Sequence, residues 1–145
     1  MKVKEIMNKD IPFVAHTDSI EKVIKLLVKI PQSSIPVVDK TKTVIGEISQ
    51  MDLLLKLVGK MEISGEDLNF ESIKSFISSK SKTIDPLYER HELTTNPDAD
   101  VLEVIKLMYD NDITSVPVID SKNKLLGIVT DICILKHYKK ISKLE

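Results

Sequence analysis

Residues 115–131 read SVPVIDSKNKLLGIVTD, and residues 34–50 read SIPVVDKTKTVIGEISQ. The two stretches align without a gap, 81 positions apart. Each is a short β-branched run, a polar turn, a second apolar run and then a polar pair. That order predicts a β-hairpin over 35–49 and another over 116–130, each leading into a helix. The same offset extends upstream through identities at Val23/Val104, Ile24/Ile105, Lys25/Lys106 and Leu26/Leu107. Farther back it fades to apolar character, as at Val3/Ile84 and Ile6/Leu87. Two copies are too few for a solenoid, which needs at least about three stacked units. The chain is therefore read as one fold written twice.

Ahead of each hairpin, apolar residues recur at helical spacing: Ile20, Val23, Ile24 and Leu27, then Val101, Val104, Ile105 and Met108. Thr17 or Asp18, and Asp98 or Asp100, are the expected N-caps. Pro31 is expected to stop the first helix, and Asn111 to turn left-handed after the second. Weaker strands are expected near Phe13-Val14 and Leu93-Thr94. The closing helices, about 50–58 and 131–139, carry Leu53-Leu54-Leu55 and Ile132–Leu135, apolar on more than one face. They are either sandwiched within one chain or packed on a second one. Residues 57–83 have no counterpart in the repeat, and Glu66–Ile77 within them reads as a helix. The resulting division is 1–60, an insertion over 61–83, and 84–145.

Composition narrows the function classes. A net charge of −1 with 30% charged residues provides no field for nucleic acid. No apolar run approaches the length of a membrane span, and no signal peptide is evident, which points to the cytoplasm. Cys133 lies in an apolar run and is expected to be a small buried hydrophobe. His16, His91 and His137 are isolated, without metal-ligand spacing. No phosphate loop and no catalytic triad can be assembled, which argues against an enzyme. The basic segment KHYKKISK, residues 136–143, is read as a solvated helix end.

Chemistry concentrates at Gly46–Asp52, GEISQMD, where a strand passes into a helix. Ser49 and Asp52 fit a capping box, in which Ser49 accepts from amide 52 and Asp52 reaches back. They also fit a ligand site, because a helix start favours anions and a carboxylate accepts from paired hydroxyls.

The duplicated pattern, an apolar helix followed by xhPVhD, a polar turn and GhhS/TxxD (h, apolar), resembles a tandem pair of CBS domains, the Bateman module. The carriers are Ser34–Asp39 with Gly46–Asp52, and Ser115–Asp120 with Gly127–Thr130. The resemblance implies an α+β fold of two β-α-β-β-α units packed pseudo-symmetrically through their sheets. It implies an adenosyl ligand (AMP, ADP, ATP or S-adenosylmethionine) in the inter-unit cleft, no required cofactor, a homodimer and an unknown regulated protein. Carried over by position, Ser49 and Asp52 would hold the ribose and phosphate, and Ile35, Pro36 and Val37 would wall the adenine. In the second copy Thr130, Val116 and Pro117 match, but Cys133 replaces the aspartate, so that site is expected to be weak or lost. His16 is a further candidate at the cleft mouth. Ser33-Ser34 and Thr114-Ser115 lack the basic residue that many relatives place before the strand proline, which favours a less charged ligand. The expected role is a stand-alone regulatory module; the alternative is a ligand-free structural dimerisation module.

Overall fold

The structure, a computed structural model, describes residues 1–30, 34–79, 82–90 and 93–143. Pro31, Ser33 and His91 lie outside the described residues. The chain divides into two compact units. The first-repeat unit holds Pro12–Asp39 and Ile45–His91; the second-repeat unit holds Met1–Ile11, Lys40–Val44 and Glu92–Glu145.

Along the first repeat run β1 (Val14–Ala15), α1 (Ile20–Leu27), β2 (Ser34–Val38), β3 (Val44–Ser49) and α2 (Gln50–Ile63). The insertion supplies α3 (Phe70–Ser78), and β4 (Glu89–Arg90) follows. The second repeat contributes α4 (Val101–Asn111), β5 (Ser115–Ile119), β6 (Leu125–Thr130) and α5 (Asp131–Ile141). The expected α+β class and the helix-strand-strand-helix order are present in both copies.

Several ends differ from expectation for local reasons. Ser19, not Thr17 or Asp18, caps α1, its hydroxyl accepting from the Lys22 amide at 3.2 Å. Asp18 is held by the Ala15 amide and the Lys22 ammonium instead. Asp112, not Asn111, takes the left-handed position after α4 (φ 52°), because Asn111 stays helical and donates to the Leu107 carbonyl. α3 begins later than expected, where Asn69 and Ser72 form a reciprocal cap.

β2 is buried along its whole length, which suits an apolar run without alternation. In the first-repeat unit the sheet order is β1-β2-β3-β4, with β1 parallel to β2 and β4 antiparallel to β3. Ile20, Val23 and Leu27 of α1 and Leu53, Leu57 and Met61 of α2 pack with Ile35, Val37 and Ile48 of the sheet.

The second-repeat unit repeats these lanes. Thr95 bridges Val118 in parallel, β5 pairs with β6, and Asn8 bridges Ile128 antiparallel. The offset of 81 holds throughout, because Val14↔Val37 and Glu89↔Glu47 are the counterpart pairs. Residues 2–8, which lead into the first repeat, therefore complete the unit of the second. Residues 83–89, which lead into the second, complete the unit of the first. Val3 and Ile84, weakly matched in sequence, are both fully buried at equivalent places.

This exchange explains the shared glycine. A Cβ on Gly46 would collide with the Glu89 carbonyl oxygen, and one on Gly127 would lie 2.7 Å from the Asn8 carbonyl oxygen. Only glycine lets the outer lane approach that closely. The hairpin turns match as well, with Lys42 and Asn123 both left-handed at equivalent positions (φ 65° and 62°). Asp120 closes its turn by accepting from the Lys124 and Lys122 amides at 3.0 and 2.8 Å. Those donors hold its carboxyl below the ordinary aspartate pKa.

Candidate ligand site at the strand-to-helix turns

At the end of β3 the backbone of Ser49 is extended, and the chain then enters α2. The Ser49 hydroxyl accepts from the Asp52 amide at 3.0 Å, the first half of the expected capping box. The return bond is not made. Among the described residues no hydrogen bond or ion pair engages the Asp52 carboxylate, which is half-buried in the first turn of α2. Gln50 anchors the same turn by donating to the Leu27 carbonyl at 3.2 Å. Nearby on β3, the Glu47 carboxylate accepts from the buried Ser34 hydroxyl at 3.3 Å. The turn thus presents a helix N-terminus, a hydroxyl and a carboxylate with unused acceptor sites.

The second copy closes on itself. Thr130 accepts from the Cys133 amide at 3.1 Å, and its hydroxyl lies 3.2 Å from the Cys133 sulfur. Thr130 is buried, whereas Cys133 is half-buried rather than the fully buried hydrophobe that its apolar run predicts. Asp131 is exposed and accepts from the adjacent Ile132 amide. It stands outside the Thr130–Cys133 pair, as its angular step on the helix requires.

Strand geometry divides the remaining candidates. Ile35 and Val37 are fully buried in their unit's core, and Pro36 between them projects from the opposite face of β2. Val116 is likewise a core residue, with Pro117 between it and Val118. His16 is drawn elsewhere. Its amide donates to the Val38 carbonyl, which places it at the turn end of the hairpin, while Ser49 ends the far end of β3. Its Nδ1 lies 3.0 Å from Asp85, which also pairs with Arg90. Ser49 and Asp52 are therefore together, and His16 is not with them.

Sequence reasoning did not single out Tyr88 in the leading segment of the second repeat. It is buried beside Gly46, its hydroxyl has no partner among the described residues, and Arg90 lies over its ring at 4.8 Å. Burial pushes its phenol above the ordinary pKa, against the opposing effect of Arg90. Among the described residues no cluster of His, Cys, Asp and Glu could hold a metal ion. No helix among them is long and apolar enough to cross a membrane.

The profile of the family described as "CBS domain" matches this chain twice, over residues 3–59 and 84–140. The chain belongs to the CBS domain family. The CBS domain-containing protein MJ0729 of Methanocaldococcus jannaschii is 30% identical to it over 141 residues, covering 96% of each chain. The solved CBS domain pair of protein MJ0100, in complex with 5'-methylthioadenosine and S-adenosyl-L-methionine, is 27% identical. It superposes with a TM-score of 0.69, covering 97% of this CBS pair and 98% of that chain. Other relatives are longer. From the same organism, this CBS pair spans 43% of the uncharacterized protein MJ0188, at 26% identity over 94% of this chain. It spans 24% of an inosine-5'-monophosphate dehydrogenase, at 25% identity over 95% of this chain.

Proposed function

We propose that this CBS pair is a cytoplasmic regulatory module that binds an adenosyl ligand at the β3–α2 turn and signals to a partner protein. In this reading Asp52 accepts from the two ribose hydroxyls, while Ser49 and the start of α2 face the 5' substituent. The observation that carries it is the half-buried Asp52 carboxylate, without a partner among the described residues and beside a helix that Ser49 already caps. The MJ0100 pair, with its methylthioadenosine and S-adenosylmethionine, supports the ligand class. Glu47 and Asp52 put two carboxylates near one turn, which disfavours a triphosphate by like-charge repulsion. A thioether or sulfonium nucleoside fits that field better, and AMP is the next choice.

Thermal unfolding with 5'-methylthioadenosine, S-adenosylmethionine, AMP, ADP and ATP tests this reading. The expected result is a rise in Tm with the first two that Asp52→Asn removes. No rise with any of the five, or the same rise in the variant, overturns it.

A second reading, self-association, rests on the outer surface of the closing helices. Met51, Leu54, Leu55 and Val58 of α2 are exposed, as are Ile132 and Leu135 of α5. A homodimer would cover them. Sedimentation of Leu54→Glu and Leu55→Glu is expected to show a dimer reduced to monomer. A monomeric parent chain removes this reading without touching the first.

A further inference from the structure

α3 packs on α1 and lays Ile73, Phe76 and Ile77 against the core of the first-repeat unit. Within that unit, beside α3, is an open cavity of about 250 Å³. Ile20, Phe76, Pro86 and Leu87 form its apolar wall, and Lys60, Lys82, Ser64 and Thr83 bring polar groups to it. Among the described residues no carboxylate lines it. The Lys82 ammonium lies 4.7 Å from the centre of the Phe76 ring, and neither lysine has a carboxylate partner among the described residues.

The rest of the wall leaves that charge unbalanced. Ile20 is the first residue of α1, so the positive end of that helix is the one at the cavity. At the other helix end the last carbonyls of α2 are taken: Lys60 accepts from the Ser64 amide and hydroxyl at 3.1 and 2.6 Å, and Met61 from the Glu66 amide at 3.0 Å. The carboxylates of the flanking segments are engaged, Asp18 by Lys22 and Asp85 by His16 and Arg90. The Thr83 hydroxyl accepts from the Asp85 amide at 3.4 Å and keeps its proton to donate.

The second repeat shows that the scaffold does not require these cations. α2 and α5 both run to the compared positions, and the equivalent cavity has Val101, Ile141, Met1 and Ile6 where the first has Ile20, Lys60, Lys82 and Leu87. Both lysines are replaced by apolar residues there, and the carboxylate of Asp100 joins the lining.

We propose that the first-repeat cavity binds a small organic phosphate, a phosphoryl group on a compact apolar body. Lys60, Lys82 and Thr83 hold the phosphoryl oxygens, and the wall of Ile20, Phe76, Pro86 and Leu87 takes the body. Two ammonium point charges match a group that carries about −1.5 to −2. A cavity of about 150 Å³ already admits benzene, so one ring with its charged substituent is the scale of ligand expected. This site is at the C-terminal end of α2, about 20 Å along a helix of 14 residues from the Ser49–Asp52 turn. It does not rest on adenosyl binding.

NMR of the ¹⁵N-labelled full chain, free of nucleotide and titrated with phenyl phosphate, tests the proposal. The expected result is saturable movement of the Lys60, Ser64, Phe76, Lys82 and Thr83 amides, with Kd rising as salt rises. Lys60→Ile and Lys82→Met give the first repeat the residues of the second, and each should weaken binding by about tenfold or more. Both positions are exposed, so the variants are expected to fold, and their Tm checks this. Lys60→Arg and Lys82→Arg, which keep the charge, should retain binding, and Asp52→Asn should leave it unchanged. No saturation at millimolar phenyl phosphate, or a Kd indifferent to both charge-removing variants, overturns the proposal. Equal binding of benzyl alcohol would reduce the cavity to an apolar one, and equal binding of inorganic phosphate would make it an adventitious ion site only; either overturns it. So does loss of binding in Asp52→Asn, which would move the phosphate to the other end of α2. A phosphotyrosine peptide bound at least about tenfold tighter than phenyl phosphate would make the ligand a polypeptide and overturn it too.

Discussion

The turn at Ser49–Asp52 and the turn at Thr130–Cys133 share a backbone and a cap but differ in what remains unused. Both hydroxyls accept the third amide of the following helix, at 3.0 and 3.1 Å. In the first copy the residue that donates this amide is an aspartate whose carboxylate has no partner among the described residues. In the second it is a cysteine paired with the threonine hydroxyl. A duplicated fold keeps its scaffold where backbone geometry demands it and diverges where a side chain acts only on something outside the scaffold. The glycines show the first half of that statement, because the crossing of the outer lanes leaves no room for a Cβ. Asp52 and Cys133 show the second half.

Four measurements sharpen or break this comparison. The largest effect is expected along the closing helices. The offset of 81 carries past residue 57, where the sequences no longer match, because α2 and α5 both continue, so that buried Leu57 answers to exposed Tyr138. Leu57→Ala should cost about 2–5 kcal/mol in urea unfolding, and Tyr138→Ala about 0.5 kcal/mol or less. Equal losses would mean that Tyr138 is packed as tightly as Leu57.

Next, the two turns should separate under ligand. At about 100 times Kd, bound nucleoside adds about 2.7 kcal/mol. Asp52→Ala is expected to remove this stabilisation and Cys133→Ala to retain it. Loss in Cys133→Ala would put the active turn in the wrong copy.

The glycine pair should respond in the same direction and unequally. Gly46→Ala is expected to cost about 1–3 kcal/mol in a denaturant melt. Gly127→Ala should cost less, because its carbonyl neighbour is farther from the added carbon. Tolerance at both sites would contradict the crossing of the leading segments.

The smallest effect is at the caps. Ser49→Ala and Thr130→Ala should each lower stability by about 1 kcal/mol. The loss at Thr130 should be the greater, since its buried hydroxyl also meets the cysteine sulfur. Thr130→Ser should recover most of it, as read by Tm.

The periodicity of the sequence alone determined the repeat, the helix-strand-strand-helix order, both hairpins and the cap at Ser49. Each of these depends on neighbours a few residues apart, such as the apolar spacing of Ile20, Val23 and Leu27 or the polar turn before Val44. The pairing of Ser49 with Asp52 was legible for the same reason, since three residues on a helix start fix their proximity. Tertiary structure alone decided that residues 2–8 and 83–89 exchange units, that Ile35 and Val37 face their unit's core while Pro36, also buried, lies on the opposite face of β2, and that His16 pairs with Asp85. It also decided that α3 packs on α1 and against the core that holds Leu57 and Met61. These outcomes turn on which distant surfaces meet. Local propensity does not encode that choice; it emerges when buried apolar area and backbone pairing are satisfied across the whole chain at once.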